Sequence, residues 1–406
     1  MTTTDVFFLS AVRTAIGDYG GTLKDVAPTA LGIHVAKAAI ARADIDAADI
    51  EQVVVGNVIH TEARDMYVSR VVGVEAGVPK EAPAMTVNRL CGSGLQAILT
   101  AAQMIKLGDG AFALAGGTES MSRSGYLLPA ARWGQRMGNA TAADMMVGVL
   151  TDPFGHGHMG VTAENVSERY RVSREEQDAA AAESHRRAAQ AIAAGYFKEQ
   201  IIPFEIATRK GVVLFDTDEH VRSDASAASM AKLRAVFKKD GSVTAGNASG
   251  INDGAAAVVL ASGDAVERKG LTPMGRLVSW GLAGVDPSEM GMGPVPAVKS
   301  ALAKAGLAVE DMDVIESNEA FAAQACAVSK ALGLDPARVN PNGGAIALGH
   351  PVGATGAILA VKTIHELRRS GGRYGLITMC IGGGQGIAMV VENCSPSASV
   401  ATAVTQ

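Results

Sequence analysis

Three stretches carry residue types able to do nucleophilic and acid–base chemistry: Cys91 in NRLCGSGLQA (88–97), His350 in GHPVGATGA (349–357) and Cys380 in TMCIGGGQG (378–386). A thiol attacks as its thiolate, and ~3% of a free cysteine is ionised at pH 7. Either a neighbouring imidazole or a helix N-terminus, with its unpaired N–H groups and partial positive charge, would raise reactivity. Taken alone, CGSG is compatible with an incidental core cysteine. An internal repeat changes that reading. The segment LCGSGLQAILTAAQMIKLGDGAFALAGG (90–117) corresponds to GHPVGATGAILAVKTIHELRRSGGRYGLITMCIGGG (349–384), each running from a Gly-rich turn through a helix and a Gly stop into a buried strand. Cys91 and His350 therefore stand in matching turns, where packing of two related units would bring them face to face.

Cys380 ends an apolar strand, an ordinary place for a buried cysteine. The glycines that follow it, Gly382 among them, offer backbone N–H groups where a ligand comes close. Because GGGQG precedes a strand and not a helix, a dinucleotide fingerprint is excluded. In ESNEAFAAQA (316–325), Asn318 and Glu319 follow a strand and open a helix, so Asn318 reads either as an N-cap or as a side chain at the same interface. His156 and His158 in DPFGHGHMG lack a partner at ligand spacing, and no metal is expected. His34, His60, His185, His220 and His365 read as structural or solvated.

The elements that must position these residues follow from the apolar pattern. Runs such as VFFLSAV, QVVVGNVI and GLITMCIG alternate with Ala-rich helical segments, which predicts an α/β fold. A second pair of matching segments, 39–57 and 301–318, extends the repeat, whose period of about 260 residues is far beyond a solenoid unit. The predicted division is a first unit over 1–120 with 250–275, an inserted loop domain over 121–249, a second unit over 276–393 and a disordered tail over 394–406. The insertion splits the first unit's final hairpin. Ser173 and Glu176 within it form a capping-box pattern ahead of a helix that stops at Gly195.

Composition bounds the partners. With a net charge of −5 and 4% aromatic residues, the chain lacks the basic footprint and stacking platform of a nucleic-acid binder. The first residues, MTTTDVFFLSAVRTAIG, have no charged leader and too short an apolar run for a signal peptide or membrane span, so a cytoplasmic protein is expected. Four scattered cysteines show no C-x-x-C spacing, hence no disulfide framework or zinc site.

Taken together, NRLCGSGLQA, TAGNASGINDGAA, ESNEAFAAQA, NPNGGAIALGHPVGATGA and TMCIGGGQG, in order and spacing, resemble the thiolase family over nearly the whole chain. The stretches TEARDMY and YLLPAARWGQRMG are most similar to bacterial β-ketothiolases of broad chain-length range. The resemblance implies the thiolase fold, two βαβαβαββ domains in pseudo-twofold α/β/α/β/α layers. It further implies a reversible Claisen condensation of two acyl-CoA molecules, such as two acetyl-CoA, with coenzyme A thioesters as substrates and no permanently bound cofactor. By resemblance Cys91 is the acylated nucleophile, His350 accepts its proton and Cys380 is the base for the second acetyl-CoA. One oxyanion site falls to His350 with an Asn318-held water, the other to the N–H groups of Cys91 and Gly382. Leu150, His158, Met159, Arg222, Ser229, Ala245 and Ser249 match CoA-binding positions, with Met290, Ala320 and Phe321 at the acyl end. A homotetramer is expected from the loop around YLLPAARWGQRMG.

Two departures stand out. His156 and Gly157 replace the more usual pattern before His158, an aromatic at the second position, which predicts a wider acyl pocket; Ser317 stands where alanine is usual. Ketoacyl-carrier-protein and hydroxymethylglutaryl-CoA synthases, the nearest rivals, lack a CxGGG base, and Cys380 argues against them. The remaining alternatives are a degradative 3-ketoacyl-CoA thiolase and a catalytically silent acyl-CoA or lipid binder.

Overall fold

Strands in this chain are apolar on both faces, as a sheet covered by helices on each side requires. The computed structural model describes residues 5–209 and 211–394; the expected disorder over 394–406 lies, apart from Cys394, outside them. The first unit contributes β1 (Val6–Arg13), β2 (Gly17–Asp18), β3 (Gln52–Gly56), β4 (Ala84–Val87) and β5 (Phe112–Ser120), with helices α1 (Pro28–Arg42), α2 (Val68–Glu75) and α3 (Ser93–Leu107). The inserted segment carries β6 (Tyr126–Leu127), β7 (Ala143–Asp144), α4 (Met145–Val149), α5 (Met159–Arg169), α6 (Arg174–Ala194), β8 (Phe204–Thr208), β9 (Gly211–Phe215) and α7 (Ala227–Met230). The chain then returns through β10 (Asn252–Ser262), α8 (Gly263–Lys269), β11 (Gly275–Gly284), α9 (Pro294–Ala305), β12 (Val314–Ser317), α10 (Ala322–Leu332), α11 (Ala345–Leu348), α12 (Val352–Ser370), β13 (Tyr374–Ile381) and β14 (Gln385–Asn393).

Strand order displays the repeat directly. The path β12-β13-β14-β11-β1-β10-β5-β3-β4 is a palindrome of equivalent strands: β11 answers β1, β14 answers β10, β13 answers β5 and β12 answers β3. The two halves of the path meet through only Phe7↔Arg276 and Phe8↔Gly275. As the sequence predicts, β5 and β10 pair antiparallel along their length although the insertion separates them in the chain. Helices α1 and α2 cover one outer face, α9 covers the other, and α12 packs against α3 and against strands of both halves. That is the five-layer arrangement implied by the resemblance.

Glycine governs the central helix crossing. A Cβ on Gly356 of α12 would lie 2.4 Å from Leu95 N, and one on Gly94 of α3 would lie 2.8 Å from Ala357 N. Gly94 is thus used for helix–helix approach. Protein backbone fills the space beside it, so no ligand approaches the chain there. Gly356→Ala is expected to lower stability by about 3 kcal/mol through overpacking, measurable by chemical denaturation; an unchanged midpoint would contradict the crossing geometry.

The capping box is present: Glu176 N donates to Ser173 Oγ (3.2 Å) and Ser173 N to Glu176 Oε2 (2.9 Å), with Gly195 in the left-handed region at the helix end. A fully buried ion pair pins the insertion to the sheet. Arg13 on β1 donates to both oxygens of Asp218 at 2.7 and 2.9 Å, and its Nε donates to Gln200. Removing one partner of such a pair strands the other charge out of water.

Candidate active site

Cys91 and His350 occupy equivalent places in the repeat. Each lies two residues before its helix, Cys91 ahead of Gly92 and α3, His350 ahead of Pro351 and α12. The turn carrying the thiol is tied by Ser93, whose Oγ accepts Arg89 N (2.8 Å) and donates to Leu90 O (2.7 Å), and it holds Leu90 at φ 45°, an uncommon value for a leucine. Cys91 is half-buried and packs against the cluster of Ile59, Met121 and Val352.

The hydrogen bonds of His350 select one tautomer. Its Nδ1 lies 2.7 Å from Thr355 Oγ1, and that hydroxyl donates its own hydrogen to Pro351 O at 2.9 Å. The hydroxyl can then only accept from the ring, so Nδ1 carries the proton and Nε2 keeps its lone pair. Nε2 is 3.5 Å from Asn318 Nδ2, while Asn318 Oδ1 is buried without a partner. Asn318 is not a helix cap, since α10 starts four residues later with Phe321 at its cap position.

Burial sets the resting protonation states. It pushes the His350 pKa down to about 4 and the Cys91 thiol up to about 11, the latter against the lowering effect of a Gly382 backbone hydrogen bond. Cys380, buried at the end of β13, is raised further by burial and by proximity to Cys91. Desolvation outweighs the helix N-terminus expected to raise Cys91 reactivity, so the resting groups are a neutral thiol and a neutral imidazole. The sign of the pH dependence follows. A base of pKa about 4 is competent at neutral pH and lost in acid, while thiolate becomes more accessible as pH rises toward 11. Single-turnover acetylation should rise continuously from pH 5 to pH 9; a rate falling over that range would refute this assignment.

The other expected residues sort into two connected groups. Met159, Met290, Ala320 and Phe321 form one apolar cluster with Cys380, and Phe237 and Ala248 pack against it. Leu150 O accepts Met159 N (2.8 Å), Ser249 N donates to Ala320 O (3.0 Å), and His158 stacks on Phe237 with centroids 4.7 Å apart. Arg222, Ser229 and Ala245 instead line a cavity of about 300 Å³ that reaches Ala248, which bridges to Phe321. His185 and His220, read from the sequence as structural or solvated, line it too. His185 Nδ1 accepts Arg222 N (3.2 Å), and His220 Nδ1 is 2.9 Å from Asp18. No motif marked them, because their partners lie on distant segments.

The fold and this constellation define a thiolase-type acyltransferase site. The thiolase N-terminal domain model matches residues 6–264 and the C-terminal domain model residues 271–393, so the chain belongs to the thiolase family. It is 64% identical to beta-ketothiolase BktB of Cupriavidus necator, over 96% of this chain and 99% of that protein. It is 50% identical to an acetyl-CoA acetyltransferase of Syntrophomonas wolfei, over 96% and 99% respectively. Among solved structures, human mitochondrial 3-ketoacyl-CoA thiolase matches with TM-score 0.95 and 45% identity, over 97% of this chain and 100% of that one. Among the described residues, no helix is long and apolar enough to cross a membrane.

Proposed function

We propose that this protein is a β-ketothiolase, an acyl-CoA:acetyl-CoA C-acyltransferase that joins two short-chain acyl-CoA molecules by reversible Claisen condensation. The observation that carries this reading is the pair of neighbouring thiols, Cys91 and Cys380, together with a buried single-tautomer imidazole in the turn that matches that of Cys91. Cys91 Sγ attacks the acyl-CoA carbonyl and its proton passes to His350 Nε2. The C–S bond to CoA breaks, and the departing thiolate takes the Cys380 proton and leaves as free CoA. Cys380, now a thiolate that burial makes strongly basic, removes the α-proton of acetyl-CoA. The carbanion attacks the acyl carbon, the Cys91–acyl bond breaks, and His350 returns the proton to Cys91. Every group ends as it began.

Charge develops on a carbonyl oxygen in each half-reaction. The N–H groups of Cys91 and Gly382 serve one, and His350 with a water held by Asn318 serves the other; the partnerless Asn318 Oδ1 supports that role. Arg222, Ser229 and Ala245 would line the nucleotide end of the CoA path, and Ser249, Leu150, His158 and Met159 its narrow part. Met290, Ala320 and Phe321 would surround the acyl chain. Flexible methionines at that end, with Gly157 in place of a bulky side chain, support a pocket that accepts propionyl as well as acetyl groups.

The exposed Tyr126, Leu127, Leu128, Trp133 and Met137 support assembly through the inserted loop into a tetramer. The domain division at about 120, 250 and 276 and a cytoplasmic location belong to the same proposal. The test is thiolysis of acetoacetyl-CoA, 3-ketovaleryl-CoA and 3-ketohexanoyl-CoA by free CoA. Cleavage of the first two is expected, and no cleavage of any would overturn the function.

A further inference from the structure

Glu119 is the counterpart of Cys380 in the other half of the repeat. It stands opposite Gly254 on β10 as Cys380 stands opposite Gly386 on β14. The strands that follow these glycines, GAAAVV and GIAMVV, match in pattern. The first half thus places a carboxylate where the second places the thiol assigned as base, and no step of the mechanism uses it.

Its surroundings are unusual for a buried acid. Glu119 is 0% exposed, and its Oε1 accepts Asn57 Nδ2 (3.0 Å) and Ile59 N (3.1 Å) while Oε2 accepts Val58 N (3.1 Å) and Gly353 N (2.9 Å). Four donors occupy the four lone pairs of a carboxylate. Burial pushes its pKa up to about 8 while the backbone donors pull the other way. A carboxyl proton would find no acceptor and would point at an N–H, so the donor set calls for the anion.

Three of the donors come from the loop after β3 and the fourth from the first turn of α12. That helix has no side-chain cap of its own, so Glu119 caps it from across the interface. The same turn carries His350 at its entrance and Thr355, which holds the ring. The side chains of Ile59 and Val352, next to the tethered backbone, belong to the cluster against which Cys91 packs. Glu119 is also the charged group whose field raises the Cys91 thiol. A second titratable neighbour is Asp253 on β10, which is itself held by Ser122 N at 2.9 Å.

We infer that Glu119 is a positioning residue: a buried anion that ties the His350 turn to the loop beneath Cys91 and keeps a fixed negative charge beside the nucleophile. This rests on the assignment of Cys91 and His350 above. The tether fixes the relative placement of base and thiol, and a displacement of about 1 Å can cost ~10²-fold in rate.

The test compares full-length wild type, Glu119→Gln and Glu119→Asp by the pH dependence of single-turnover acetylation of Cys91 with acetyl-CoA. In Glu119→Gln the charge is lost and an amide NH₂ must face N–H donors. Its acetylation rate should fall ~10²-fold, with an unchanged KM for acetyl-CoA, and its profile should move to lower pH because the thiol no longer faces a carboxylate. Glu119→Asp keeps the charge but is one methylene short of Gly353 N. It should lose rate with an unmoved profile. A Glu119→Gln enzyme with the wild-type rate, or with a reduced rate and an unmoved profile, overturns the inference. If Glu119→Gln does not fold, Glu119→Asp decides, and a wild-type rate in that variant overturns it. Failure of wild type itself to become acetylated would refute the function and not this role.

Discussion

Cys91→Ala incubated with acetyl-CoA should show no acetyl adduct by intact-mass measurement, whereas wild type should gain one per chain. The physical basis is local. Cys91 sits at the entrance to α3 and receives a Gly382 backbone hydrogen bond, and the matching turn carries the buried His350 whose lone pair is on Nε2. Alanine removes the only sulfur so placed; Cys326 lies on α10 and Cys394 beyond β14. Cys380 does not substitute, since burial and the neighbouring thiol hold its proton. Condensation and thiolysis should both vanish, because both pass through the acyl-enzyme. An adduct of wild-type stoichiometry in Cys91→Ala would remove Cys91 from the mechanism.

Cys380→Ser should separate the two half-reactions. The hydroxyl fits the space of the thiol in the cluster with Met159, Met290 and Phe321, so the fold and the acyl path should persist. Acetylation of Cys91 should still be detectable. Condensation should fall ~10³-fold, the range expected when a positioned general base is lost, because serine holds its proton far more tightly than cysteine. Quench-flow measurement of adduct formation beside steady-state product formation distinguishes the steps. Full condensation activity in Cys380→Ser would assign the base elsewhere.

The chemistry-bearing residues were legible because each is marked locally: Cys91 and His350 in Gly-rich turns that open helices, and Cys380 at the end of an apolar strand ahead of a glycine run. Their pairing was legible because the repeat is carried by the pattern of glycines and apolar runs in 90–117 and 349–384. Other features had no local mark. His185 and His220 reach the Arg222 cavity from α6 and from a loop pinned by Arg13–Asp218, contacts between residues far apart in the chain. Gly94 illustrates the converse case. Its glycine character was visible, but whether a ligand or another helix claims the space depends on where α12 passes.

The sequence by itself determined the α/β class, the duplicated plan, the insertion that splits a hairpin and the identities of Cys91, His350, Cys380 and Asn318. The first three follow from periodicity and turn chemistry, which act over a few residues at a time, and the four site residues from local motifs together with the resemblance to thiolases. Only the tertiary structure decided the states of those groups. Desolvation makes the resting groups a thiol and an imidazole, Thr355 chooses the ring nitrogen that carries the proton, and Glu119 spans two halves to cap α12. Each depends on which distant atoms replace water around a polar group, and that is settled when the layers close over the site.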